Sequence, residues 1–157
     1  MNRRTFIQNS AVGATATLFS PYGIAAPRAS KYRTALIGTG WWGMNILGAA
    51  MAAGQSKVVA MCDVDENQIS KAAAEVEKLT GDRPKQYKDF RELLATEKPE
   101  IVIVATPDWY HAEHTNAALK AGKHVYCEKL LAHSVYEVRR VVEEAAKSKA
   151  VTQMGTQ

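Results

Sequence analysis

Short apolar runs that alternate with helical segments constrain the fold of this chain more than any other feature. The clearest run, residues 101–105, is apolar throughout, as expected of a central parallel strand buried on both faces. Further strands are predicted at residues 34–37, 57–62, 86–87, 124–127 and 151–154, and helices at residues 42–53, 66–79, 90–94, 109–121 and 138–147. This alternation predicts an α/β fold with a doubly wound, mostly parallel sheet.

Three glycines stand between the first predicted strand and the first helix. Gly38, Gly40 and Gly43 fit the pattern G-x-G-x-x-G, and Asp63 ends the second strand about twenty residues later. In this context Gly38 permits a sharp turn, Gly40 lets the backbone approach a pyrophosphate, and Gly43 lets the helix pack closely on the sheet. The amides of the first helical turn would then face the phosphates. The pattern predicts a dinucleotide-binding loop of the Rossmann type.

The residues around this loop favour NAD over NADP. The Asp63 carboxylate would accept hydrogen bonds from the adenosine ribose and repel a 2′-phosphate, and no Arg or Lys follows within the next few residues. Trp41 and Trp42 stand at loop positions, where we expect one of them to line the cofactor groove. Two alternatives stay open at this point. The alternative for the two tryptophans is a place in the core, and the alternative for the glycines is a turn that binds no ligand.

Two later segments carry a more specific pattern. A T-P-D-x-x-H segment begins at Thr106 and ends at His111, and residues 118–129 read A-L-K-A-G-K-H-V-Y-C-E-K. Together they resemble the Gfo/Idh/MocA oxidoreductases, whose amino-terminal domains share such a pair of segments. The resemblance runs from about residue 33 to the end of the chain. It implies a Rossmann domain and hydride transfer between NAD(P) and a carbinol carbon, mostly of sugars, cyclitols and related compounds.

The resemblance also assigns roles to individual residues. Thr106 and Pro107 would line the cofactor groove, and His111 would help to hold the loop there, with a capping or packing histidine as the alternative. Glu128 and Lys129 would lie beside the nicotinamide, with Lys129 as the catalytic residue that polarises the reacting oxygen or relays its proton. The alternative for this pair is a surface ion pair after a strand.

The chain departs from the family pattern at Leu130, which stands where the family has proline. The lysine–proline bond of that motif is often cis, but a cis bond before a non-proline residue costs about 2.5–4 kcal/mol. We therefore expect a trans Lys129–Leu130 bond, which would displace Lys129 from its place in the family motif.

Residues 1–30 are interpreted as a twin-arginine export signal and a linker, ahead of a Rossmann domain at residues 31–157. Arg3 and Arg4 precede a weakly apolar run at residues 11–19, and small residues near Ala25 suit cleavage. The run is too short to span a bilayer comfortably. We expect an exported, periplasmic protein with no membrane contact after cleavage. A disordered or membrane-skimming amino terminus is the alternative.

The resemblance further implies a second, α+β domain that supplies the substrate pocket. Residues 153–157 resemble the crossover to it, so we expect a fragment that binds cofactor and turns nothing over alone, with any homo-oligomer assembled through that domain. Three functions stay open for the whole protein: a dehydrogenase acting on a sugar-like substrate, an NAD-dependent glycoside hydrolase of the same superfamily, and a non-catalytic dinucleotide-binding protein.

The charge distribution and the spacing of the histidines and cysteines argue against a nucleic-acid-binding protein and against a metal or redox site. The Arg3–Arg4 pair of the predicted signal accounts for two units of the formal net charge of +4. The other charges are spread over helices of mixed sign, without the basic stripe and interleaved aromatics of a nucleic-acid-binding protein. His111 and His114 share a helix face, but no third ligand stands nearby, so no metal is predicted. Cys62 and Cys127 lack the spacing of a metal or redox site; we expect buried thiols, with a disulfide between them left open.

Overall fold

A six-stranded parallel sheet forms the centre of the molecule. The computed structural model describes residues 30–156, so the predicted export signal lies outside the described residues. The strands are β1 (Tyr32–Ile37), β2 (Ser56–Cys62), β3 (Lys85–Tyr87), β4 (Ile101–Val104), β5 (His124–Cys127) and β6 (Thr152–Met154). Their order is β3-β2-β1-β4-β5-β6, and all neighbouring strands run parallel. The predicted parallel α/β fold is confirmed.

Five helices connect the strands within residues 30–156. They are α1 (Trp41–Ala52), α2 (Glu66–Thr80), α3 (Phe90–Glu97), α4 (His111–Lys120) and α5 (Val135–Lys147). The helix predicted over residues 109–121 is divided, because a 3₁₀ turn at Asp108–Tyr110 precedes α4. Tyr110 N donates to Pro107 O at 3.0 Å, which closes this tighter turn before the α-helical pattern begins.

Local sequence signals explain where most of these helices begin and end. The Asp65 side chain accepts hydrogen bonds at the start of α2, and Gly81 ends that helix in the left-handed conformation. Ser134 and Glu137 form a complete capping box at the start of α5, as their spacing predicts. None of the helices in the described part has the length and apolar character that crossing a bilayer requires.

Apolar side chains on both faces of the sheet form two separate cores. Leu36, Met61 and Ile103 project to one face, where they pack with side chains of α1 and α2. Ile37 and Val104 project to the other face, where they pack with α3, α4 and α5. Successive residues of one strand therefore serve opposite cores, as the period of two requires. Helices on both faces make the sheet doubly wound, as predicted.

The carboxyl ends of the strands form a continuous hydrogen-bonded edge, which we call the rim. For five strands, the first residue past the strand donates its amide to the last carbonyl of the neighbouring strand, at 2.9–3.1 Å. These residues are Gly38, Asp63, Ala105, Glu128 and Gly155. From β1 the strand order runs to β3 on one side of the sheet, and from β4 it runs to β6 on the other side. The position between β1 and β4 is therefore the switch point of the sheet, and the crevice beside such a point is where open α/β sheets bind ligands.

Candidate cofactor and active site

The loop after β1 depends on a glycine at its first position. Gly38 has a φ of +94°, which side chains rarely tolerate. A Cβ atom at Gly38 would also lie 2.6 Å from the backbone carbonyl of Ala105 and 2.7 Å from Thr106 N. The loop therefore crosses directly against the main chain that leaves β4, and only glycine permits this approach.

The other two glycines of the string differ from one another. A Cβ at Gly43 would collide with Gly38 O and would lie 3.3 Å from the Ala105 Cβ, so Gly43 is required for packing of α1 on the loop. A Cβ at Gly40 would meet nothing within 4 Å. Protein packing thus explains Gly38 and Gly43, whereas Gly40 borders open space at the rim.

The amino end of α1 is suited to an anion. Gly40 is its N-cap residue, no side chain makes a capping hydrogen bond there, and the first turn has no acidic residue. In α2, α3 and α5, by contrast, a side chain accepts from the backbone at the same position. The first amides of a helix lack intrahelical partners and carry the positive end of its dipole. The uncapped end of α1, beside Gly40, therefore fits a diphosphate.

Asp63 lies directly beside this loop. Its Oδ2 accepts hydrogen bonds from Thr39 N at 2.7 Å and from Thr39 Oγ1 at 2.8 Å. Its Oδ1 accepts from Asp65 N at 3.1 Å. Asp63 therefore holds the glycine loop and stands at the end of β2, where the adenosine ribose of a dinucleotide would lie. Thr39 was missed by the sequence analysis, because its partner stands 24 residues away.

His111 connects the loops after β4 and β5. Only 1% of its surface is exposed. Its Nε2 lies 2.7 Å from Thr106 O and its Nδ1 lies 2.6 Å from Leu130 O. Both oxygens can only accept, so a neutral ring donates to one of them and an imidazolium to both. His111 is thus a buried link that positions the segment around Thr106 and Pro107 relative to the segment around Lys129.

Glu128 is buried next to the exit of β6. Its Oε1 accepts from Tyr126 Oη at 2.8 Å, and its Oε2 accepts from Lys129 N at 3.3 Å. A Cβ at Gly155 would collide with Glu128 Oε1 and would lie 2.6 Å from Tyr126 Oη. The absence of a side chain at Gly155 therefore makes room for the Tyr126–Glu128 pair. The sequence analysis named Glu128 but missed Tyr126 and Gly155.

Lys129 is exposed, and its Nζ lies 5.9 Å from the centre of the Trp42 ring. The amine at the end of β5 therefore reaches the first turn of α1, across the rim from the glycine loop. Glu128 and Lys129 differ in their surroundings, since one is buried and the other exposed. This arrangement is unlike the surface ion pair that the sequence left open.

The Lys129–Leu130 peptide bond is cis, so the prediction of a trans bond is wrong. That prediction counted only the local cost of the cis form for a non-proline residue. The segment has a contact on each side of the bond, because Lys129 N donates to Glu128 Oε2 and Leu130 O lies 2.6 Å from His111 Nδ1.

All three tryptophans of the chain lie near the rim and are exposed. Trp41 is 77% exposed, Trp42 37% and Trp109 58%. Tryptophan is usually largely buried, so its exposure at one edge indicates a surface that receives a ligand or another part of the protein. Trp41 and Trp42 are therefore not core residues. Trp109, beside the T-P motif, was not singled out from the sequence.

A hydrogen-bonded pair, Asp108 and His133, links the same two loops at the surface. Asp108 Oδ1 lies 3.0 Å from His133 Nε2, and this hydrogen bond with His133 lowers the pKa of Asp108. Trp109 packs edge-on against His133, with 6.3 Å between ring centres. This surface pair supplements the buried His111 link.

Three further titratable side chains near the rim, those of Cys62, Cys127 and His114, are buried. Burial raises the pKa of Cys62 to about 12 and that of Cys127 to about 11, and both cysteines are free thiols. Burial also lowers the pKa of His114 to about 4. No three ligand-type side chains cluster within residues 30–156 in a way that suits a metal ion.

The sheet order, the glycine loop, the uncapped α1 and Asp63 together define a dinucleotide-binding domain of the Rossmann class. The family model described as an oxidoreductase family with an NAD-binding Rossmann fold, GFO_IDH_MocA, matches residues 32–156. The chain belongs to this family, as the two sequence motifs predict. The groove fits NAD: α1 can hold the diphosphate, Gly40 leaves space, and Asp63 stands at the ribose position.

Individual relatives extend the comparison. A glycosyl hydrolase family 109 protein of Stenotrophomonas maltophilia is 37% identical over 134 residues, and inositol 2-dehydrogenase of Salmonella paratyphi B is 35% identical over 100 residues. These alignments cover 82% and 63% of this chain. A solved structure of the WlbA dehydrogenase of Chromobacterium violaceum, in complex with NADH and UDP-GlcNAcA, matches 84% of the chain at 28% identity with a TM-score of 0.70.

The chain spans only part of these relatives. It covers 29% of the length of each of the two curated relatives and 37% of the WlbA chain. The region of this chain that the family model matches, residues 32–156, is its NAD-binding Rossmann domain.

Proposed function

We propose that the whole protein transfers hydride between NAD and a carbinol carbon of a sugar, a cyclitol or a related compound. The observation that carries this proposal is the position of Lys129. Its amine stands next to Trp42, on the first turn of the helix that fits the diphosphate. A proton-transfer group thus lies at the same edge as the cofactor cradle. The inositol dehydrogenase and WlbA relatives favour a sugar-like substrate.

The residues of this chain would divide the work between binding and proton transfer. The α1 amides would hold the diphosphate, and Asp63 would accept from the adenosine ribose. NAD, when bound, would supply the carbon that accepts or donates hydride. The Lys129 amine would take the proton from the reacting hydroxyl when the alcohol is oxidised and return it when the carbonyl is reduced. Glu128 and His111 fix the backbone on either side of Lys129.

Substitution of Lys129 tests this role. In Lys129→Ala we expect kcat of the whole protein to fall by about 10²–10⁴-fold, with the Kd of NAD unchanged, because only proton transfer is removed. NADH formation would be followed with myo-inositol, D-glucose and UDP-GlcNAcA. Lys120→Ala, which removes the same charge at the end of α4, is the matched control. NAD binding without NADH formation by the unsubstituted protein would favour a non-catalytic dinucleotide-binding protein, and unchanged activity in Lys129→Ala would contradict the role of Lys129.

A second candidate function is supported by the glycosyl hydrolase family 109 relative, at 37% identity. In an NAD-dependent glycosidase, oxidation of the sugar is transient and NADH does not accumulate. Aryl glycosides separate the two reactions. Release of the aryl alcohol without net NADH would support the glycosidase, whereas NADH formed in proportion to oxidised sugar would support the dehydrogenase.

We also propose that residues 1–30 direct export to the periplasm by the twin-arginine route. The support is the Arg3–Arg4 pair ahead of a weakly apolar run. Conservative replacement of both arginines by lysine should retain the protein in the cytoplasm of its host. Arg28→Lys, which changes an arginine outside the pair, should leave export intact. Periplasmic recovery of the double variant would contradict the proposal.

The size of the assembled protein is a further part of this proposal. We expect any homo-oligomer of the whole protein to assemble through the second domain. Light scattering coupled to size-exclusion chromatography, on the whole protein and on residues 31–157, measures this directly. Oligomers formed by residues 31–157 alone would contradict it.

A further inference from the structure

We propose that Thr39 is a positioning residue, which fixes the Asp63 carboxylate so that the site discriminates NAD from NADP. This inference rests on the proposed use of NAD. Thr39 is the residue between the first two glycines, and only 3% of its surface is exposed. Its amide and its hydroxyl both donate to one carboxylate oxygen, Asp63 Oδ2, at 2.7 and 2.8 Å.

These hydrogen bonds leave little freedom to the carboxylate. An ionised carboxylate has about four lone-pair positions, two on each oxygen. Thr39 uses both positions on Asp63 Oδ2, and Asp65 N uses one on Oδ1. One position on Oδ1 therefore remains for a ribose hydroxyl. Three hydrogen bonds to a charged group hold the side chain in one orientation before any ligand arrives.

The fixed orientation matters because a 2′-phosphate would meet a charge that cannot turn away. An aspartate with a single hydrogen bond can rotate away from a phosphate, because the rotation breaks only that one bond. Rotation of Asp63 would break both bonds from Thr39. Neighbouring charges do not offset this repulsion, because Asp65 is itself acidic and the Lys88 amine is paired with Glu66. Thr39 thus keeps the Asp63 carboxylate in an orientation that repels the 2′-phosphate of NADP.

The hydroxyl can be separated from the amide by substitution. Thr39→Val keeps the shape and the Thr39 N bond but removes the hydroxyl, whereas Thr39→Ser keeps both donors. Calorimetric titration of the whole protein with NAD and with NADP gives the ratio of the two Kd values. We expect Thr39→Val to raise the Kd of NAD by about fivefold. The Kd of NADP divided by the Kd of NAD should fall by a similar factor. Thr39→Ser should stay within about twofold of the unsubstituted protein for both.

The outcomes are separable. A change in stability alone would weaken both nucleotides equally and leave their ratio unchanged, so an unchanged ratio in folded Thr39→Val overturns the role of Thr39. If this variant does not fold, Thr39→Ala provides the same comparison with a smaller side chain. Binding of NAD with an unchanged ratio overturns only this inference. Failure of the unsubstituted protein to bind either nucleotide contradicts the proposed function as well.

Discussion

The loop after β1 and the loop after β5 lie at the same rim but are held by different interactions. The first is shaped by main-chain contact, since Gly38 crosses against the Ala105 carbonyl without room for a side chain. The second is held by buried side chains, since His111 bonds to Leu130 O and Glu128 bonds to Lys129 N. The cofactor loop therefore tolerates no added atoms at Gly38 and Gly43, whereas the lysine loop depends on particular polar groups.

The largest expected effect tests the main-chain half of this comparison. Gly38→Ala should reduce the free energy of unfolding by about 3 kcal/mol or more, because the substitution combines a positive φ with a backbone clash. Gly54 is the matched control: its φ is +79°, but a Cβ there meets nothing within 4 Å. Gly54→Ala should lose only about 1 kcal/mol. Urea denaturation measures both, and equal losses would contradict a role for the close approach.

The next largest effect tests the side-chain half. His111→Leu should reduce the free energy of unfolding by about 2–3 kcal/mol, because Thr106 O and Leu130 O lose a buried donor. His133→Leu is the control, since His133 links the same two loops through an exposed pair with Asp108. Such surface pairs contribute about 0–1 kcal/mol. Similar losses in the two variants would show that burial does not distinguish these links.

The pH dependence of stability sharpens the comparison, because His114 lies on the side-chain-held part. Burial lowers the pKa of His114 to about 4, below the ordinary value of 6.5. Between pH 6.5 and 4, the His114 ring is therefore protonated in the unfolded chain and neutral in the folded chain. Stability from this group is complete above pH 6.5 and should fall by about 2 kcal/mol between pH 6.5 and 4.

His114→Asn is the variant that isolates this contribution. It removes the titrating ring but keeps a polar group near Thr106 Oγ1, which lies 3.1 Å from His114 Nδ1. Urea midpoints measured between pH 7 and 4 should show a shallower fall in the variant. An identical pH profile would assign the acid sensitivity to other groups.

The smallest effect on folding is expected at Gly40, in the same loop as Gly38. Gly40→Ala should change the free energy of unfolding by less than about 1 kcal/mol, because a Cβ there meets nothing within 4 Å. NAD affinity should nevertheless fall by about tenfold, since the methyl group would occupy the space next to the diphosphate. Calorimetry and urea denaturation of the same sample separate the two effects. Unchanged NAD affinity would contradict placement of the diphosphate beside Gly40.

Patterns that act over a few residues were predictable from the sequence. The apolar run at β4, the capping box at α5 and the glycine string each reflect local conformation or burial, so their residues carry the signal by themselves. The doubly wound sheet follows from their order along the chain. The family motifs then directed attention to Lys129.

Contacts between distant segments were not predictable. The Thr39–Asp63 hydrogen bonds join residues 24 positions apart, and the Gly155 contact with Glu128 arises only when β5 and β6 pair. The cis Lys129–Leu130 bond was predicted wrongly because no property of the dipeptide reports the hydrogen bond from His111. Trp109 carried a signal that was not used, since it stands inside the T-P motif.

The hydrogen-bonded rim has a consequence for how such a domain can be re-engineered. Because the first residue past each of five strands is already bonded to a neighbouring strand, an insertion at that residue would shift the pairing of two strands. Segments of foreign length can be grafted only from the second residue of each loop onward. Loop segments that carry new recognition surfaces can thus be exchanged while the sheet stays unchanged.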